Sequence, residues 1–164
     1  TEPTVIEVNA EVMPNATKTV PLNINNAAVN LQLSYTLTTS GTTQTRICMF
    51  NFLNNVGYMP FVTNTAYIKN AEANTELSQS LFSYASFNGY LVYSTNVTNS
   101  TTYNYVTTNG IKYGSSYFIP IKFVLSGNLT GPLFAYMKVT VAVDKITVNK
   151  IVYNKVGSLK VGEE

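Results

Sequence analysis

Few residues in this chain could carry out chemistry, and they do not combine. Histidine is absent, arginine and aspartate occur once each, as Arg46 and Asp144, and Cys48 is the single thiol. Ser-His-Asp, Cys-His and histidine-metal sites therefore cannot be assembled within one chain. Two carboxylates could in principle hydrolyse a glycoside, but Glu72 and Glu76 have nothing near them in sequence to set their pKa values apart, so they read as a solvated pair. The nine glycines are scattered at turns, which leaves no phosphate loop, and no Asp-rich calcium loop occurs. Ile47, Met49 and Phe50 surround Cys48 with apolar side chains and predict a buried thiol. The expectation is a protein that is no enzyme, with no cofactor and no metal.

The remaining composition bounds the partners. The chain has 164 residues, enough for one core, and only 11% of them are charged. Asn, Thr and Ser (20, 22 and 12 residues) supply an uncharged polar surface instead. The ten basic residues are spread from Lys18 to Lys160 without a run, so no phosphate-tracking stripe exists and nucleic acid is not an expected partner. No stretch approaches the roughly 18 apolar residues of a spanning helix. Beginning at Thr1, the chain is expected to be a secreted product from which a leader has been cut. Without histidine and with eight carboxylates, its stability should respond little to acid.

The elements that must position any site are strands. Val29 to Leu37 alternates five apolar with four polar residues, the period of a half-buried strand. Ile47 to Phe50, with Phe52 and Leu53 behind, is apolar on both sides and predicts a central strand covered on both faces. Further strands are expected near 56 to 69, 90 to 95, 103 to 108, 111 to 125, 133 to 143 and 145 to 153, with a type I′ hairpin at Asn109-Gly110. Only Ala73 to Ala85 breaks the alternation, where Leu77, Leu81 and Tyr84 behind Asn74 allow a short helix. Together these predict an all-β fold, an immunoglobulin-like or pilin-like β-sandwich.

The N-terminal segment stands apart. From Thr4 to Val12, Ile6, Val8, Ala10 and Val12 share one face and Glu7, Asn9 and Glu11 the other, and Pro3 and Pro14 bracket the run. Met13-Pro14-Asn15 reads as a hinge. The segment is either the first strand of its own sandwich or a donor strand that completes the sheet of a neighbour, a heterologous contact whose repetition builds an open filament. The second reading divides the chain into a donor strand and hinge at 1–13 and a β-sandwich at 14–164.

An Asn/Thr/Tyr-rich, histidine-free, all-β chain that opens on such a segment resembles the archaeal thread subunit, a surface-filament protein, and more loosely the type 1 pilins. The resemblance implies an extracellular, N-glycosylated filament of identical subunits joined head to tail by donor-strand complementation, with Val5, Ile6, Val8, Ala10 and Val12 in the donor strand. Four sequons begin at Asn15, Asn96, Asn99 and Asn128, each expected in a loop or at the hinge, where an N-linked glycan disturbs no core. Two other readings stay open: a secreted carbohydrate-binding module using Tyr103, Tyr105, Tyr113 and Tyr117, and a surface-layer or capsid building block.

Overall fold

The computed structural model describes residues 2–63, 66–83, 87–97, 112–126, 131–155 and 158–164. Its strands are β1 (Thr4–Val12), β2 (Ala16–Ile24), β3 (Ala27–Ser40), β4 (Thr43–Leu53), β5 (Val56–Pro60), β6 (Glu76–Leu77), β7 (Tyr90–Val97), β8 (Ser115–Leu125), β9 (Leu133–Ala142), β10 (Lys145–Tyr153) and β11 (Leu159–Lys160). Two antiparallel sheets face each other, one ordered β1-β10-β9-β8-β5 and the other β2-β3-β4-β7, with β11 and β6 forming a small third ladder. The fold is an all-β sandwich.

Alternation explains the core. On β3, Val29, Leu31, Leu33 and Tyr35 point inward, and Cys48, Phe50 and Phe52 do so on β4; β8 to β10 answer with Ile119, Ile121, Phe123, Met137, Val139, Ile146 and Val148. Phe52 packs edge-on against Phe123 with ring centroids 4.9 Å apart, joining the two sheets. A second apolar cluster covers the outer side of the five-stranded sheet, where Leu77, Leu159 and Val161 close over Tyr136 and Val152.

That flap relocates the doubly covered strand. β4 is central in its sheet, but its outer face is open and Met49 is 42% exposed. Runs of three buried residues occur instead at Ile119–Ile121, Ala135–Met137 and Ile151–Tyr153, the last two beneath the flap. The segment 73 to 83 forms no α-helix: β6 is followed by one 3-10 turn at Gln79–Phe82, while Asn74 takes a positive φ and donates its N–H to the Val161 carbonyl. The region expected to be extended over 56 to 69 keeps β5 and then folds back through a bridge between Val62 and Ile68. β2 was not expected as a strand. Its Pro21 removes a ladder donor, which the edge position of β2 tolerates. The expected strand at 103 to 108, the Asn109-Gly110 hairpin, Tyr84 and Ala85 lie outside the described residues.

Asparagine does at the turns what glycine usually does. Asn15, Asn25, Asn26, Asn54, Asn55 and Asn74 all have positive φ. Asn25-Asn26 joins the paired residues Ile24 and Ala27, a two-residue loop with positive φ at both positions, and the Asn26 N–H is held by Asn23 Oδ1 at 2.9 Å. Replacing Asn25 or Asn26 by Ala should cost on the order of 1 kcal/mol each, and by Gly less than half as much, because only Ala brings a Cβ penalty to the left-handed region. Urea midpoints of the four variants check this; equal losses for Ala and Gly would contradict it.

Candidate functional site

β1 occupies the edge of the five-stranded sheet, antiparallel to β10, and no strand lies on its other side among the described residues. The first-strand arrangement is therefore the one this single chain adopts. Its even-numbered residues face the core as the alternation predicts: Ala10 and Val12 are each 2% exposed, and Ile6 and Val8 pack against the same cluster. Val5 points the other way, into the outer cluster beside Val152. The boundary proposed at residue 13 is thus crossed by core packing.

The seat beneath β1 is formed by β10, whose Ile146, Val148, Ile151 and Tyr153 face the core. Sequence reasoning did not find these residues. The register holds a reason. No residue separates Lys138 from Val139 on β9, Asn149 separates their partners Lys150 and Val148 on β10, and Val8 and Asn9 separate Glu7 from Ala10 on β1. Each strand outward carries one residue more than its inner neighbour, a stepped bulge. On β10 the extra residue turns the core set from even to odd numbers. On β1 the second extra residue restores the even set, with Asn9 absorbing it at φ +48.

Apolar burial dominates the seat. Burying a Val or Ile side chain is worth about 1.5–3 kcal/mol. The outward Glu11–Lys145 pair, 3.5 Å apart and half-exposed on both sides, contributes at most about 1 kcal/mol. Both ends of β10 are tied across to the opposite sheet. At one end the Asn25 N–H donates to the Tyr153 hydroxyl at 3.0 Å; at the other the Tyr35 hydroxyl donates to the Val143 carbonyl. Beside the latter, buried Arg46 meets the exposed Asp144 carboxylate at 3.2 Å. The only arginine and aspartate thus form a structural tie.

The stretch expected to act as a hinge is a pinned turn. The Ala16 N–H donates to the Met13 carbonyl at 3.2 Å, and the Asn15 N–H to the Tyr35 carbonyl at 2.7 Å. The exposed Asn15 accepts through Oδ1 from the Leu37 N–H at 3.2 Å. Asn96, the other described sequon asparagine, lies within β7 rather than in the expected loop, half-buried, with Nδ2 donating to Ser94 Oγ at 2.8 Å. Asn99 and Asn128 lie outside the described residues.

Of the four tyrosines expected to offer a stacking face, Tyr103 and Tyr105 also lie outside. Tyr113 is half-buried, and the Tyr117 hydroxyl accepts from the Lys112 N–H at 2.8 Å. A separate groove of about 430 Å³ opens on the four-stranded sheet, lined by uncharged residues including Gln32, Met49, Asn51 and Asn88. Among the described residues no three His, Cys, Asp or Glu side chains gather as metal ligands, and no helix is long and apolar enough to cross a membrane. No protein-family model, curated protein or solved structure matches the chain.

The titrating groups of the interior are phenols and one thiol. Burial pushes Cys48, Tyr58 and Tyr136 up to about 12, the last helped by Glu164 and Glu163. Burial also raises Tyr35, with Tyr113 adding to it, and raises Tyr113, against the opposing pull of Ser94 and Arg46. A raised pKa keeps the folded group protonated after the unfolded one has ionised, so this stability is whole below the unfolded values of about 9 to 10 and is lost as pH rises through the folded ones. Melting temperature should change little between pH 7 and pH 3 and fall above about pH 9. A steep loss in acid, or a flat profile to pH 11, would contradict the account.

Proposed function

We propose that the protein is a structural, non-catalytic subunit of an extracellular cell-surface filament, a pilus- or thread-like polymer serving adhesion or biofilm. In it, β1 of each copy leaves its own seat and completes the sheet of the next copy beside β10. The supporting observation is the seat itself. Among the described residues β1 pairs with one strand, β10; it inserts Ile6, Val8, Ala10 and Val12 into the core and is joined to the rest by a single turn. The same contacts re-form when the strand comes from a second copy, so exchange costs little beyond opening the turn. Donor face and acceptor slot differ, so each addition leaves one free strand and one free slot, and growth is open-ended. A carbohydrate-binding module is the second reading, favoured by the uncharged groove at Gln32 and Asn51.

Glu7 and Lys150 are register partners on the outer side of the β1–β10 ladder. Copies carrying Glu7→Cys, mixed at high concentration with copies carrying Lys150→Cys and then oxidised, should yield disulfide-linked pairs of one of each kind, while Cys48 stays inert in the core. Chains that remain separate up to about millimolar concentration, the range in which tethered and free strands compete, would sink the polymer reading.

N-linked glycans are a second part of the proposal, and of the two described sequon asparagines Asn15 suits them. Its side chain is exposed and its Oδ1 alone is engaged, whereas the Nδ2 of Asn96 already holds buried Ser94. Glycopeptide mass spectrometry of the natively produced protein should find sugar at Asn15 and none at Asn96; the reverse occupancy would refute this assignment.

A further inference from the structure

The turn that closes β1 onto its own domain has one residue on which the closure depends. Met13 accepts from the Ala16 N–H, which makes Pro14 and Asn15 the central pair, and Asn15 has φ +62. Proline in the first central position and a positive φ in the second define a type II turn. In that turn the proline is already extended, and its ring holds φ near the same value whether the chain reverses or runs straight. Asn15 is different. It must be left-handed for the chain to reverse, and extended for β1 to prolong the line of β2 and leave the domain.

Other differences between the closed and exchanged forms cancel. The core contacts of Ile6, Val8, Ala10 and Val12, the ladder to β10 and the Glu11–Lys145 pair are the same whether the strand is a chain's own or its neighbour's. An equilibrium between two states moves only with what differs between them. What differs here is the turn bond from Ala16, the backbone conformation at residue 15 and the hold of Asn15 on Tyr35 and Leu37.

We infer that Asn15 is the conformational switch of strand exchange: its tolerance of the left-handed region keeps the single chain closed, and its passage to the extended region releases β1 to a second copy. Asparagine is a compromise at this position. Among residues with a Cβ it visits the left-handed region most readily, and unlike glycine it keeps a side chain that bonds across to β3. A β-branched residue would disfavour the closed form and fit the extended one.

The inference rests on the exchange reading, and the test separates the two. Full-length chains are prepared without glycan in three versions, unaltered, Asn15→Gly and Asn15→Val, each in Glu7→Cys and Lys150→Cys form, and mixed-disulfide yield and solution mass are measured against concentration. Asn15→Val should lower the concentration needed for half-maximal exchange by about tenfold, corresponding to about 1.4 kcal/mol. Asn15→Gly should leave it within about threefold of the unaltered chain, because the backbone keeps its freedom and only the Leu37 bond is lost. A Val variant that stays monomeric or exchanges no more readily than the unaltered chain overturns the inference, as does a Gly variant that promotes exchange as strongly as Val. Exchange in the unaltered chain that Asn15→Val does not alter leaves the filament reading standing and removes the switch. Exchange confined to Asn15→Val leaves the switch standing and removes the filament reading. Should Asn15→Val fail to fold, Asn15→Thr carries the same backbone bias with the same expected direction.

Discussion

The apolar face of β10 must be covered. Ile146, Val148, Ile151 and Tyr153 are buried on the core side, β9 flanks one edge of the strand, and β1 is what closes the other. Without β1 the sandwich would present an unpaired row of backbone groups bordering an opened apolar slot, a combination that aggregates. The tyrosine ties from Asn25 to Tyr153 and from Tyr35 to Val143 brace the sheets at the two ends of this slot. They hold the frame, while the strand fills it. A domain built this way needs a strand in that position, and the core and ladder contacts of β1 do not by themselves tie it to its own copy; only the turn at Asn15 does.

How far this was visible in the sequence differs from element to element, for physical reasons. β10 was legible almost to the residue, with 145 to 153 expected and Lys145–Tyr153 observed, and β9 nearly so, since both alternate strongly. β2 was not, because only Val20, Leu22 and Ile24 alternate and Pro21 interrupts them; the edge position that excuses the proline is a tertiary fact. The doubly covered strand was misplaced because Met49 looks buried by type, whereas the flap that covers Tyr136 and Val152 joins Leu159 and Val161 to Leu77, which is distant from them in sequence. Ala73 to Ala85 has helical spacing by coincidence: Leu77 is held in a two-residue ladder to β11, which no local pattern announces.

The candidate site was half legible. The apolar face of β1 followed from alternation, and the place of the turn from Pro14. Its acceptor did not follow, although a trace was present: on β10 the apolar positions pass from 146 and 148 to 151 and 153, and that change of phase at Asn149 marks the bulge level. What a single sequence lacks is the pairing that makes β10 rather than another strand the neighbour of β1. The turn was misjudged in kind. Met13-Pro14-Asn15 was read as a release point, yet Asn15 makes it a lock, since a left-handed asparagine with both its N–H and its Oδ1 engaged resists opening.

On the filament reading the abundance of asparagine is more than a detail of composition. A charge-poor chain needs neutral groups to keep its surface wet, and asparagine provides them while also turning the chain at Asn25-Asn26 and Asn54-Asn55. Glycine at those sites would loosen the unfolded chain, at a cost below about 0.5 kcal/mol each, and Lys, Arg or Glu would rarely accept the backbone. At most of these turns the left-handed conformation is simply required by a hairpin. On the filament reading, at residue 15 it separates two arrangements with the same core, so a residue type suited to both surface and turn also leaves both arrangements within reach. On the filament reading, this is why a closed monomer and an open polymer can be forms of one sequence: neither form has to sacrifice packing to reach the other, and the choice between them falls to a single backbone angle.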